Sequence, residues 1–187
     1  IGWCDWSSDV CSSDLLRADL KFAAAVESAL GDSVQHVVTL TQDSAGAAAA
    51  LLRADRSGRA GMIPLSLARA PEMETISLYG HPGVLGRASD LVRYRPEFEP
   101  VVRHLLGHTW IVESLDTALR LSNNGGAGQR FVTLDGERVE ATGVIVGGEP
   151  LPRVGLLSRK SELDEIVAEL KRMWPQLEII LNGGIAD

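Results

Sequence analysis

Apolar residues recur at helical spacing twice along the chain, and each time a strand-like run follows. Phe22, Val26, Ala29 and Leu30 share one helical face. Gly31 stands where a left-handed C-cap would end that helix, and Val34 to Leu40 reads as a strand. Phe98, Val101, Val102, Leu105 and Leu106 form a second such face. Pro96 comes early in it, where a missing N–H costs nothing. Gly107 closes this helix, and Trp110-Ile111-Val112 makes the next strand. Phe22 and Phe98, Val26 and Val102, Leu30 and Leu106, Gly31 and Gly107 all stand 76 residues apart.

The repeat continues with slight drift. Asp43 or Ser44 is placed to cap a helix through Ala45–Arg53, and Ser114 or Asp116 one through Leu121. Each leads through a glycine-bearing turn into a further strand, Gly61–Leu65 and Arg130–Leu134. The pattern predicts an α/β, mixed α+β fold of two related small lobes, 15–65 and 88–148, neither comfortable alone. The stretch 66–87, with Pro71, Gly80, Pro82, Gly83 and Gly86, reads as a linker between them. From Ser161 a capping-box-like Ser161-x-x-Asp164 opens another helix. Its apolar residues Leu163, Val167, Leu170, Trp174 and Leu177 step by a heptad seam, so 158–174 reads as the start of a coiled coil. Pro175 breaks it and leaves 175–187 as an unassigned tail.

Composition narrows the class. With 45% hydrophobic and 23% charged residues in 187, the chain has the makings of one buried core. No apolar run reaches membrane-spanning length, and no basic stretch precedes an apolar one near the start, which predicts a cytoplasmic address. A formal charge of −7 argues against a protein built mainly on phosphate contacts. The segment 1–14 stands apart: it holds Cys4, Cys11, Trp3, Trp6 and three aspartates but no Lys or Arg. It resembles a translated sequencing adapter and is expected to be foreign to the domain. Without its three aspartates the charge is −4, and the remainder has no cysteine.

Candidate chemistry is sparse. His104 and His108 sit near a helix end, where an imidazole interacts favourably with the dipole. His36 lies in an apolar run and His81 beside Pro82. There is no nucleophile elbow, His-Glu-x-x-His or paired Cys-x-x-Cys. Asn123-Asn124-Gly125-Gly126-Ala127-Gly128 lacks the lysine of a phosphate loop and follows a helix rather than a strand, so it reads as a turn. Asp135-Gly136 reads as a tight two-residue hairpin turn. Gly143, Gly147 and Gly148 flank the apolar run Val144-Ile145-Val146. Glycines there fit either close approach of a second subunit's backbone or a bulge within one chain.

Taken in order, Ala29-Leu30-Gly31, Gln35-His36-Val37-Val38, Gly58-Arg59-Ala60, Pro64-Leu65-Ser66, Ala88-Ser89-Asp90-Leu91-Val92, Leu105-Leu106-Gly107, Val132-Thr133-Leu134-Asp135-Gly136 and Gly147-Gly148 resemble the hinge of SMC (structural maintenance of chromosomes) proteins of the bacterial type. The resemblance covers 15–157. It implies a non-enzymatic module that homodimerises edge to edge within an antiparallel coiled coil, in a chromosome condensation and segregation ATPase acting on the nucleoid. The interface residues it implies are Gly136, Gly143, Gly147 and Gly148. No cofactor is implied for this segment; ATP and magnesium belong to the heads of the parent protein, and chromosomal DNA to the parent complex. Arg87, Arg93, Arg95 and Arg130, with Arg103, are candidates for weak DNA contact, set against pairing with Glu97 and Glu99.

Two departures stand out. Thr142-Gly143 replaces the first of two usual glycine pairs, and Leu156-Leu157-Ser158-Arg159 replaces the usual Leu-Leu-Gly-Arg. The incoming coil is expected to have given way to the segment 1–14. The alternative reading is a small α/β ligand-binding or enzymatic domain that uses a cleft between the lobes.

Overall fold

The computed structural model describes 10–11, 15–56, 58–69, 76–124, 126, 128–148 and residues 159, 161, 165, 166, 172 and 173. The heptad positions Leu163, Val167, Leu170, Trp174 and Leu177, the Leu156-Leu157-Ser158 run and the tail 175–187 lie outside these residues.

Each lobe is a strand–helix–strand crossover joining two parallel strands, as parallel pairing requires. In the first lobe β3 (Val37–Thr39) and β4 (Met62–Pro64) are joined by α2 (Gln42–Asp55). In the second, β7 (Thr109–Val112) and β8 (Arg130–Thr133) are joined by α4 (Leu115–Asn123). Both crossover helices begin at a hydroxyl cap, which satisfies an N–H that has no partner inside the helix. Ser114 Oγ accepts from the Thr117 N–H at 3.3 Å. The other cap is Thr41, not Asp43 or Ser44: Thr41 and Ser44 exchange side-chain-to-backbone bonds in a reciprocal box.

An antiparallel strand flanks each parallel pair. β5 (Val84–Arg87) lies against β7, and β1 (Val10–Cys11) lies against β3. Val10 and Cys11 stand 76 residues before Gly86 and Arg87, so the two flanking strands occupy equivalent places. The rest of 1–14 is outside the described residues.

β2 (Arg17–Ala18) and β6 (Val92–Arg93) pair antiparallel, with Arg17 opposite Arg93. These two residues are repeat equivalents, so a local two-fold passes between them and relates the lobes.

The helices preceding each crossover meet on that axis in one core. From α1 (Leu20–Leu30) come Phe22, Ala25, Val26, Ala29 and Leu30; from α3 (Glu99–Leu106), with the 3-10 turn before it, come Phe98, Val101, Val102 and Leu106. These are the residues that carry the 76-residue repeat, and all are buried. Ile111 and Val132 join this core from one face of the second sheet, while Trp110, Val112, Phe131 and Val139 face a second core with Ala118 and Leu121 of α4. The period-2 alternation of a sheet covered on both faces is thus met. Two expectations shorten. The Val34 to Leu40 run winds as a 3-10 helix through Gln35 before β3 begins. The 66–87 linker ends in β5, a member of the second sheet.

Candidate dimerisation edge

The second sheet runs in the order β10-β9-β8-β7-β5, and β8, β9 (Arg138–Val139) and β10 (Ile145–Val146) form a meander ending on an edge that is open among the described residues. Its two loops are built alike. Gly136 N–H donates to Thr133 O and the Thr133 N–H to Glu137 O; Gly143 N–H donates to Glu140 O and the Glu140 N–H to Val144 O. Each is a three-residue loop whose last position has positive φ, +86° at Gly136 and +85° at Gly143. That geometry favours glycine within a single chain. The two-residue Asp135-Gly136 turn is therefore replaced by Leu134-Asp135-Gly136. Gly136 also rests on α1, where Ser28 Oγ donates to its carbonyl at 2.6 Å.

β10 differs from every other strand of the sheet in facing solvent: Val144, Ile145 and Val146 are 54%, 53% and 39% exposed. The Glu140–Val144 bond fixes the alternation of the ladder, so the N–H and C=O of Ile145 point outward, and continuing it turns those of Gly147 outward too. Gly147 does not have positive φ, and among the described residues an added Cβ would meet only Glu137 Oε1, at an ordinary 3.6 Å. Gly148 has φ of +101°, with nothing among the described residues near the place of a Cβ. Of the four expected interface glycines, Gly136 and Gly143 thus serve the loops, Gly148 has a backbone reason, and Gly147 meets no requirement for glycine among the described residues.

A charged clamp holds this hairpin. Glu140 Oε2 lies 2.7 Å from Arg130 Nε, and Oε1 lies 3.0 Å from Arg138 Nε, an ion pair without a hydrogen bond. Arg130 Nη1 donates to Ala29 O at 2.9 Å, and Arg138 Nη1 to Ser28 O at 2.8 Å. Both carbonyls belong to the last turn of α1, which has no basic residue of its own to meet its negative end. Arg130, a candidate DNA contact, is committed here. The other candidates lie on separate elements with local partners. Arg93 pairs with Asp19 at 2.8 Å, and Arg95 with Glu97 at 3.2 Å. Arg87 lies over the Trp110 ring and donates to Gly107 O. Arg103 pairs with Glu99 across one helical turn at 2.8 Å.

One core and the clamp bridge the two lobes among the described residues. His104 Nδ1 lies 3.3 Å from Arg69 O; both ring nitrogens of His108 are buried without a hydrogen bond. Gly61 seats the His36 ring, which an added Cβ would overlap. Tyr79 packs edge-on against Trp110 at 5.0 Å and donates to Asp90; burial first, then that bond and the Asp90 charge, raise its pKa. No group of three His, Cys, Asp or Glu residues among those described is placed to hold a metal, and no described helix is long and apolar enough to cross a membrane. Glu140, Arg138 and Ser161 were not expected as site residues. Ser161, 7% exposed, donates to Ala18 O at 2.9 Å, beside an open 280 Å³ cavity lined by Arg17, Asp19, Arg93 and Glu165.

The comparisons with known proteins fit this geometry. The family model described as the flexible hinge domain of SMC proteins matches residues 11–122. The chromosome partition protein Smc of Rhodopirellula baltica is 37% identical over 168 residues, 88% of this chain and 14% of that protein. That of Bacillus subtilis is 35% identical over 164 residues, 86% of this chain and 14% of that protein. The chain thus spans about one seventh of the length of these relatives. The crystallised asymmetric dimer of the Geobacillus stearothermophilus SMC hinge domain superposes with a TM-score of 0.77 at 32% identity, over 87% of this chain and 66% of that one. The Pyrococcus furiosus Smc hinge domain with an extended coiled coil gives 0.64 at 29% identity, over 87% and 55%.

Proposed function

The chain belongs to the SMC flexible hinge family, and on that premise we propose that it joins two copies of a chromosome-partitioning protein through the β10 edge. The carrying observation is the exposed apolar run Val144–Val146 on a strand whose outward N–H and C=O groups have no partner among the described residues. Such an edge is a template for another strand, and monomeric proteins usually blunt it.

The repeat supplies a place for the partner. β4 holds the position in the first lobe that β8 holds in the second, yet β8 is covered by β9 while β4 ends its sheet among the described residues. Its outward groups belong to Met62 and to Pro64, which has no N–H to leave unmade. In this reading β10 of one copy extends the β4 edge of the other, and a two-fold repeats the contact to close a ring.

The segment from Ser161 starts the returning coiled-coil arm, seated on Ala18. In the parent protein ATP and magnesium act at distant heads, while the hinge is mechanical and its own hold on DNA weak. Sedimentation of the 187-residue chain tests the central claim. A concentration-dependent dimer supports it, and a monomer at high micromolar concentration refutes it.

A further inference from the structure

We propose that Glu140 is the positioning residue of this edge, tying β10 to the C-terminal end of α1 so that dimerisation depends on a contact between the lobes. This rests on β10 being the dimerisation edge. Three hydrogen bonds and a further ion pair converge on the one residue. Its backbone N–H and C=O close the β9–β10 loop through Val144 and Gly143, while its carboxylate spans Arg130 and Arg138. Both arginines in turn hold carbonyls of α1, Ala29 O and Ser28 O. β10 buries no side chain of its own, so packing does little to fix its direction. What fixes it is the ladder to β9 and the loop that springs from Glu140.

The arrangement suits a positional role better than a purely stabilising one. The side chains of Arg130, Arg138 and Glu140 are 34%, 28% and 22% exposed, so water screens the pair and limits what it adds to folding. A planar guanidinium fork, though, fixes direction as well as distance. With its carboxylate hydrogen-bonded to the Arg130 fork and ion-paired with Arg138, Glu140, the residue before the loop, is oriented relative to α1. A partner strand reading Ile145 and Gly147 then meets groups already in register, which spares the ordering cost of binding.

The test compares Glu140→Gln with the unaltered chain well below its melting temperature. The dimer dissociation constant should rise about tenfold, the size of coupling expected among contacting residues. Amide exchange at Val146, whose N–H faces β9 opposite Arg138, followed in monomer at high dilution, should quicken while β7 and β8 stay protected. A role confined to stability would lower the melting temperature and leave both readouts unchanged, and that result overturns the proposal. If Glu140→Gln does not fold, the milder Arg138→Lys keeps the charge and loses the fork; it should weaken the dimer about threefold, and an unchanged dimer again overturns the proposal. Ile145→Asp separates the two readings. If it leaves the dimer intact, the edge assignment fails and the proposal with it. If it breaks the dimer while Glu140→Gln does not, only the proposal fails.

Discussion

Gly147→Ala separates a partner's demand from the chain's own. Within one subunit the change should be harmless, because φ there is not positive and among the described residues the new methyl meets only Glu137 Oε1, at 3.6 Å. Removing a glycine from the unfolded ensemble favours folding by roughly 0.4–1 kcal/mol where the backbone is compatible. The melting temperature should therefore hold or rise slightly. Across a paired edge the same methyl intrudes on the neighbouring strand, at about 1 kcal/mol for modest overpacking. Two-fold symmetry places the defect twice, so the dimer loses about 2 kcal/mol, or roughly 30-fold in dissociation constant. Gly143→Ala is the contrasting control: φ of +85° makes it costly to the hairpin itself, so stability and association should fall together. Sedimentation equilibrium and thermal denaturation on both variants give the answer. If Gly147→Ala lowers the melting temperature with no change in dimer affinity, the glycine serves the fold and the edge assignment is wrong.

Other variants probe the rest of the molecule. Arg130→Gln should destabilise the fold by about 1–2 kcal/mol in urea denaturation, a value discounted because the ion pair is partly exposed; no change would show the clamp to be idle. Ser161→Ala should cost about 1 kcal/mol and speed proteolysis of the chain after residue 148, since a buried donor to Ala18 O is lost; unchanged cleavage would detach that segment from the hinge. The raised pKa of Tyr79 means the folded state keeps a proton that the unfolded state releases above the ordinary tyrosine value of about 10, so stability should fall as pH rises through that range. Tyr79→Phe should flatten this decline in alkaline denaturation, and an identical slope would refute the assignment. DNA binding should be weak and vanish by physiological salt, given a charge of −7 and pairing at Arg93, Arg95 and Arg130; submicromolar affinity surviving that salt would overturn this.

The features legible in sequence were those with a period. Phe22, Val26 and Leu30 and their counterparts 76 residues on announce a helical face and a repeat, because side chains on one face must recur to reach one core. Strand positions followed from apolar runs placed after a glycine, and Ser114 as a cap from its chemistry. What escaped depended on pairing at a distance. Arg130 reads as a surface cation until Ala29, 101 residues away, comes within 2.9 Å. Loop type escaped for a local reason: Asp135-Gly136 suits a two-residue turn, and only the bond from the Thr133 N–H to Glu137 O shows that the glycine sits third. Thr41 was passed over as a cap because Asp43 and Ser44, equally good by chemistry, stand beside it.

The inequality of the two lobes matters as much as their likeness. A repeat related by a local two-fold at Arg17 and Arg93 would, if perfect, present the same edge on both sides and let copies add without limit. Here the second lobe continues past β8 into β9 and β10, while the first stops at β4 and turns into the linker. One edge therefore projects an apolar strand and the other offers an open ladder. Unlike edges on opposite sides of one rigid body can close a pair only if the lobes keep a fixed angle. The shared core of α1 and α3 sets that angle along the axis, and the Glu140 clamp sets it at the rim. The interlobe contacts and the dimerisation edge are in this sense one mechanical unit, so that a change loosening α1 against β9 should be felt at β10 before it is felt in the core.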